Sequence, residues 1–132
     1  MIRCNVCLLV AGLIVGTALT SAAPATADGG WVAVAKSPSR ESLDWAGGPN
    51  RSQADAERSA LLQCARLQRA SDCYLVASGP NCAAVAWDVA EPLNNAYGAV
   101  GLTPAAALGA AEAAAGPFAN GPEVRCSYLS RG

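Results

Sequence analysis

The stretch CYLVASGPNCAAVAW, residues 73–87, constrains the fold most strongly because the chain starts to repeat itself within it. Two apolar runs, at 74–77 and 83–87, flank the turn-forming sequence Gly79-Pro80-Asn81. Apolar runs of this length that border a turn and contain β-branched or aromatic residues are typical of strands. The stretch therefore predicts a strand that ends one half of the chain and a strand that begins another.

The two halves share sequence features at a constant distance. The apolar run at 32–35 is matched 51 residues later by the run at 83–86. The helix-capping residue Ser52 is matched at the same distance by Thr103. A period of this length indicates the duplication of a whole unit rather than a solenoid of short repeats.

Each half is predicted to read strand, strand, helix, strand, with units at about 31–80 and 82–130. We expect an α+β fold with an internal duplication, in which two helices cover one side of antiparallel strands. In this alignment Tyr97 is the counterpart of Trp45 after a one-residue adjustment.

Turn and capping residues set the expected element boundaries. The first unit should begin with a strand at 31–35, turn at Ser37-Pro38-Ser39 and return through a strand at 43–46. Its helix should follow the N-cap Ser52 and run to about Gln68.

The second helix should span 104–115, because Thr103 is a suitable N-cap and Pro104 a favourable first residue. Gly116-Pro117 should end it, and a last strand should span 123–129.

At 100° per residue, the sequence of the first helix predicts one apolar face and one charged face. The inward half should contain Ala56, Ala60, Leu61, Cys64, Ala65 and Leu67. The outward half should contain Asp55, Arg58, Ser59, Arg66 and Arg69, with Leu62 as its one apolar member. A basic stripe on a helix is either a solvated face or a surface for an acidic partner.

The N-terminus is typical of a secretory signal peptide. Arg3 precedes an apolar run at 6–19, and small residues end in the sequence ATA at 25–27. The run is shorter than the roughly 20 residues that span a bilayer. We expect cleavage after Ala27 and a secreted or envelope-located mature chain, 28–132, without a stable membrane anchor. The alternative is an uncleaved membrane anchor.

Four cysteines remain after cleavage: Cys64, Cys73, Cys82 and Cys126. An even number in a small exported domain predicts disulfides. We favour pairing Cys64 with Cys73 and Cys82 with Cys126, because each bond then lies within one unit. The alternative pairs Cys73 with Cys82. The chain has no histidine and the cysteine spacings do not match a zinc site, so we expect no metal or cofactor.

The charge balance argues against nucleic acid as a partner. Without Arg3 the chain carries eight basic and ten acidic residues, a net charge of about −2. Its 105 residues are sufficient for one domain, which we expect to be monomeric.

At the level of motifs the chain resembles the DUF4189 family, small secreted actinobacterial proteins of unassigned activity. The matching segments are WVAVAKSP at 31–38, AERSALLQC at 56–64, CYLV at 73–76, CAAVA at 82–86, GLT at 101–103 and the final Cys126. The resemblance covers nearly all of the mature chain and implies export and fold rather than activity. Val32 and Ala83 stand where the family usually has glycine.

Few residues are suited to catalysis. Because the chain has no histidine, a nucleophilic Ser37 or Ser39 would need Lys36, the only lysine, as its general base. We expect Lys36 to lie in a turn and to be solvated. A carboxylate pair for glycoside hydrolysis would come from Asp44, Asp88 and Glu91.

The aromatic residues Trp31, Trp45, Trp87 and Tyr97 are expected in the core rather than in a carbohydrate platform.

These observations favour a non-enzymatic interaction protein that binds a protein partner outside the cell. The expected surface is Arg58, Leu62, Arg66 and Arg69. The alternative is a small secreted hydrolase, or an inhibitor of one, that works through exposed loops at 37–42 or 88–94.

Overall fold

The computed structural model describes residues 30–91 and 95–128. The signal-peptide prediction therefore lies outside the described residues. Eight elements follow in order: β1 (Trp31–Lys36), β2 (Asp44–Gly48), α1 (Gln53–Leu67), β3 (Tyr74–Pro80), β4 (Cys82–Asp88), β5 (Asn95–Gly101), α2 (Pro104–Ala115) and β6 (Ala119–Cys126). The predicted α+β fold with two strand-strand-helix-strand units is confirmed.

Each unit forms its own three-stranded antiparallel sheet with its first strand in the centre. The strand orders are β2-β1-β3 and β5-β4-β6. A turn in which the Arg40 N–H donates to the Ser37 carbonyl at 3.1 Å joins β1 to β2, as the proline in this loop predicted. Within the described residues, only Asn81 separates β3 from β4, and its φ of 70° lies in the left-handed region.

Alternation along the central strands places the sheets back to back, with one helix on each outer face. In β1, Ala33 and Ala35 face α1, whereas Val32 and Val34 face the second sheet. In β4 the same alternation directs Cys82, Ala84 and Ala86 to α2, and Ala83 and Val85 to the first sheet. Each helix covers one side of its own strands, but the two helices lie on opposite sides of the molecule. This four-layer arrangement was not predicted from the sequence, because the stacking of one sheet on the other depends on contacts between distant parts of the chain.

Small side chains allow both helices to lie close to their sheets. The buried positions of α1 are Ala56, Ala60 and Cys64, and those of α2 are Ala107, Ala111 and Ala115. Spacing of four residues keeps such positions on one face of a helix. The predicted caps are confirmed: the Ser52 hydroxyl accepts from the Asp55 N–H, and the Thr103 hydroxyl accepts from the Ala106 N–H, each at 3.2 Å.

Both predicted disulfides are present. Cys64 is bonded to Cys73, which joins the last turn of α1 to the segment before β3. Cys82 is bonded to Cys126, which joins the start of β4 to the end of β6. The alternative bond between Cys73 and Cys82 is excluded by these pairings.

The prediction that Leu67 and Ala65 face inward is wrong. Leu67 is 73% exposed and Ala65 is also exposed. The buried row of α1 advances by four residues, from Ala60 to Cys64 and then to Gln68, which is 7% exposed. A residue one position before Gln68 therefore points away from the sheet.

The proposed equivalence of Tyr97 and Trp45 is also wrong. Trp45 pairs with Val34 and packs between the sheets, whereas Tyr97 pairs with Ala86 and packs towards α2. A shift of one residue along a strand moves a side chain to the opposite face.

The last strand starts at Ala119, earlier than the predicted Glu123, and continues through Gly121 and Pro122. Within the described residues, no helix is both long and apolar enough to cross a membrane.

Candidate functional site

The predicted arginine surface lies on the outer side of α1. Arg58, Leu62 and Arg66 are exposed at four-residue intervals along the helix, with Leu62 55% exposed. Arg69 is exposed just beyond the helix end, at a φ of 51°. We call these four residues the arginine face. Arg58, Leu62 and Arg66 lie along one outer face of α1, and Arg69 follows the helix end.

The arginine face is not neutralised by its neighbours. Among residues 30–91 and 95–128, the side chains of Arg58, Arg66 and Arg69 have no hydrogen-bonded or ion-paired partner. Arg58 and Arg66 lie two helical turns apart, with Leu62 between them. The row therefore carries unpaired positive charge around an exposed leucine.

The prediction that Lys36 is solvated is wrong, because Lys36 is fully buried. Its Nζ donates to the Ser37 carbonyl at 2.8 Å and lies 5.6 Å from the Trp87 ring and 6.0 Å from the Tyr74 ring. Lys36 follows Val34 on the face of β1 that packs against the second sheet, and Trp87 of that sheet covers it.

Burial lowers the pKa of Lys36 from its ordinary value of 10.5, and the negative charges of Glu41 and Asp72 oppose this shift. Burial likewise raises the pKa of Tyr74 from its ordinary value of 10.0. The Lys36 side chain therefore lies at the junction of the two sheets, between Tyr74 of the first and Trp87 of the second.

The structure does not form the serine-lysine pair considered from the sequence. The Ser37 hydroxyl donates to an Asp72 carboxylate oxygen at 2.7 Å and lies 3.1 Å from the Ser39 hydroxyl. The Lys36 ammonium bonds the Ser37 carbonyl and not its hydroxyl. Because Ser37 is fully buried, its hydroxyl is also closed to a substrate. These groups fix the loop at 37–42 to the rest of the unit.

The three carboxylates considered for hydrolysis separate into two places. Asp44 is 7% exposed and accepts a hydrogen bond from Gln68 Nε2, which also donates to the Ser42 carbonyl. Asp44 is therefore a structural residue. Asp88 and Glu91, in contrast, line one open cleft of about 540 Å³.

The cleft lies between the β1–β2 loop, the end of β4 and the bulged part of β6. We call it the acidic cleft, because four of its lining residues carry carboxylates. Its lining consists of Glu41, Trp87, Asp88, Val89, Glu91, Asn120, Gly121 and Glu123. Among the described residues, no group of three or more histidine, cysteine, aspartate or glutamate side chains is arranged to hold a metal ion.

A register shift between β4 and β6 shapes the cleft wall. Val85 pairs with Glu123 and Trp87 pairs with Asn120, which leaves two residues of β6 opposite one of β4. Gly121, at the irregularity, has a φ of 57° in the left-handed region. Such bulges change the direction of side chains and recur beside functional sites.

Sequence reasoning missed Glu41, Trp87 and Glu123 as neighbours of Asp88 and Glu91. All four of the aromatic residues considered were expected in the core. Trp31, Trp45 and Tyr97 are half-buried and pack against the core, whereas Trp87 also lines the cleft. The available signal was the Asn-Gly-Pro sequence at 120–122, because these residues favour irregular backbone before a strand.

Comparison with models of protein families, with curated proteins and with solved structures found no match. The resemblance to the DUF4189 family therefore stays a prediction that rests on the motifs alone.

Proposed function

We propose that the chain is a secreted, non-enzymatic domain that binds an acidic protein partner outside the cell through the arginine face. Export is part of this proposal and rests on the N-terminal sequence at 1–27. The two disulfides support it, because such bonds persist in oxidising compartments.

The observation that carries the proposal is the exposed row of unpaired arginines with Leu62 at its centre. Arginine and apolar residues that lose water together are typical of the strongest contacts in protein interfaces. An acidic partner would supply the ion-pair partners that Arg58, Arg66 and Arg69 lack. The partner is therefore identified by its charge and by a site for a leucine side chain.

The test is affinity capture from envelope and host extracts with residues 28–132 as bait. A partner should be captured by the natural chain and lost with the variant R58A/R66A/R69A. These side chains are exposed, so their removal should change the free energy of unfolding by less than about 1 kcal/mol in total. A thermal melt of the variant checks this expectation.

Two control variants define what the partner recognises. Arg40→Ala removes one exposed arginine of the β1–β2 loop and should leave capture unchanged. The variant R58K/R66K/R69K keeps the charge but not the planar guanidinium groups, and should retain only part of the binding. A partner that is captured equally by the triple-alanine variant would refute the arginine face as the binding surface.

A second candidate function is supported by the acidic cleft. Asp88 and Glu91 line it together, and a hydrolase of sugars uses two such carboxylates. Hydrolysis of an oligosaccharide that is abolished by Asp88→Asn would support the hydrolase. Asparagine can still accept the Ala90 N–H bond that Asp88 Oδ1 accepts at 2.9 Å, so this change keeps the turn and removes the charge. If no oligosaccharide in a screen is hydrolysed, the hydrolase is refuted and binding through the arginine face is the one remaining candidate function.

A further inference from the structure

We propose that the acidic cleft is a second binding site, which takes the cationic side chain of a basic peptide segment from a partner protein. The site lies on different elements from the arginine face and goes beyond the function proposed for it. The cleft combines acidic charge, an aromatic wall and an apolar rim.

The charge of the cleft is compensated only in part, because Glu41 interacts with Lys36 and Asp88 accepts the Ala90 N–H. Its carboxylates come from three separate parts of the chain, and no lysine or arginine lines it. Among the described residues, the side chains of Glu91 and Glu123 have no hydrogen-bonded or ion-paired partner. A cationic donor forms charge-assisted hydrogen bonds with such carboxylates. Because they come from separate parts of the chain, they suit an extended organic cation.

Trp87 gives the cleft a surface that favours such a cation. An ammonium or guanidinium group binds over the face of an indole ring. The Lys36 ammonium already lies 5.6 Å from this ring. Lys36 is fully buried, whereas Trp87 is half-buried and also lines the open cleft, so part of the indole is accessible to a ligand in the cleft.

Gly121 keeps the space beside Trp87 open. A Cβ atom at Gly121 would lie 3.5 Å from Trp87 Cδ1, in van der Waals contact with the indole. The left-handed φ of Gly121 also disfavours other residues at this position. The bulge of β6 thus places the residue that occupies least room next to the aromatic ring.

An apolar rim identifies a peptide rather than a free amine. Val89 lines the cleft and is 60% exposed, and the exposed Phe118 is held next to it by a bond from the Val89 N–H to the Phe118 carbonyl at 3.2 Å. A peptide with an arginine or lysine beside a leucine would contact both the carboxylates and this rim. A volume of about 540 Å³ is enough for more than one side chain.

The experiment is an NMR titration of ¹⁵N-labelled residues 28–132 with the peptide acetyl-Gly-Leu-Arg-Lys-Leu-Gly-amide. The Trp87 indole N–H signal should move, while that of Trp31, whose Nε1 donates to the Ser78 hydroxyl at 2.6 Å, should not. Binding should weaken several-fold between 50 and 300 mM salt, as expected for exposed charges. Failure of the peptide to move the Trp87 signal at millimolar concentration would overturn the proposal.

Matched variants locate the interaction. Glu123→Gln should weaken binding about fivefold, the order expected for one charged contact in a partly exposed site. Glu112→Gln makes the same change on the exposed side of α2 and should leave the affinity within about twofold, because it lies outside the cleft. Equal effects of the two changes would mean that only net charge matters, and would refute the site.

Three further probes separate this ligand from others. A peptide with glutamine in place of arginine and lysine should not bind, and equal binding would overturn the proposal. Spermidine should bind more weakly than the peptide, and equal binding would refute the role of the rim. An N-acetylglucosamine tetrasaccharide that moves the Trp87 signal when the peptide does not would assign the cleft to carbohydrate instead.

The arginine face is tested separately with the variant R58A/R66A/R69A, which should bind the peptide normally. The peptide titration therefore tests the cleft even if the arginine face proves not to bind a partner. Sedimentation without peptide provides a last check. Self-association that is lost in both Glu123→Gln and Arg66→Ala would assign the cleft to α1 of a second copy, and would overturn the partner proposed above.

Discussion

The two units of this protein use the same arrangement of elements with different means of stabilising it. In both, the first strand is central, a hydroxyl caps the helix and three small residues at four-residue spacing pack on the sheet. Ala56, Ala60 and Cys64 of α1 each have a counterpart 51 residues later in α2. The caps and the small buried residues are therefore what the two units share.

The units differ in where they are cross-linked. The first disulfide joins the end of α1 to the residue before β3, and the second joins the first residue of β4 to the last residue of β6. The end of α1 also carries Gln68, whose side chain accepts from the Ser37 N–H and donates to Asp44. In the second unit the position of Cys64 is taken by Ala115. The position of the cross-link is therefore not part of the shared arrangement.

The clearest difference lies at one position of the central strands. Lys36 ends β1, and Trp87 stands 51 residues later in β4. These two residues meet across the sheets, with the Lys36 ammonium 5.6 Å from the Trp87 ring. A second contact, between Arg125 of β6 and the Trp45 ring at 5.5 Å, joins the sheets elsewhere. The residues at these corresponding positions are thus complementary rather than identical.

The disulfides should have the largest effect on stability, and an unequal one. The second bond closes a separation of 44 residues and the first a separation of 9. On the chain-entropy model, C82A/C126A should lower the free energy of unfolding by about 4 kcal/mol and C64A/C73A by about 2.6 kcal/mol. Urea denaturation of residues 28–132 measures both. A larger loss from C64A/C73A would show that packing around α1 outweighs loop length.

The register position of Trp45 is occupied by Gly98 in the second unit. A larger residue at Gly98 should not be tolerated. Gly98 pairs with Val85 as Trp45 pairs with Val34. A Cβ atom at Gly98 would lie 2.1 Å from the Val76 carbonyl oxygen of β3. Gly98→Ala should therefore cost about 3 kcal/mol, the upper part of the range for overpacking.

Gly109→Ala is the matched control, because a Cβ atom there meets nothing within 4 Å. It lies within α2 and should stabilise the protein by about 0.8 kcal/mol through helix propensity. Thermal or urea unfolding measures both changes. Equal effects of Gly98→Ala and Gly109→Ala would show that the two sheets can move apart at β5.

The smallest expected effect concerns pH and Lys36. Because burial lowers its pKa in the folded state, the unfolded chain binds more protons between that value and 10.5. The contribution of Lys36 to the free energy of unfolding should therefore rise with pH through this interval, whereas below it the cost of burying the charge is fully present. Tyr74 acts oppositely: its raised pKa makes stability fall as the pH passes 10.0.

Unfolding of Tyr74→Phe as a function of alkaline pH isolates the lysine, and this variant should gain stability as the pH rises. The double variant Y74F/K36M should lose that gain. If Tyr74→Phe and Y74F/K36M show the same pH dependence, Lys36 is not desolvated in the folded protein.

The sequence by itself determined the features that depend on neighbouring residues. The hydroxyl caps, Pro104 and the alanines at four-residue spacing defined both helices, because these signals act within one or two turns. The cysteine pairing also followed, since each bond lies within one unit. The exposure of Arg58, Leu62 and Arg66 on one side of α1 could be predicted because the helix itself places them.

Only the tertiary structure decided what covers each face. Alternation along β1 predicts two sides, but the packing of Val34 and Lys36 against the second sheet depends on a unit 51 residues away. Lys36 is buried because Tyr74 of β3 and Trp87 of β4 both lie over it. The acidic cleft forms because Glu41 of the first unit and Glu123 of the second line the same space. Such contacts depend on how the two sheets stack and on the bulge at Gly121, neither of which a local pattern specifies.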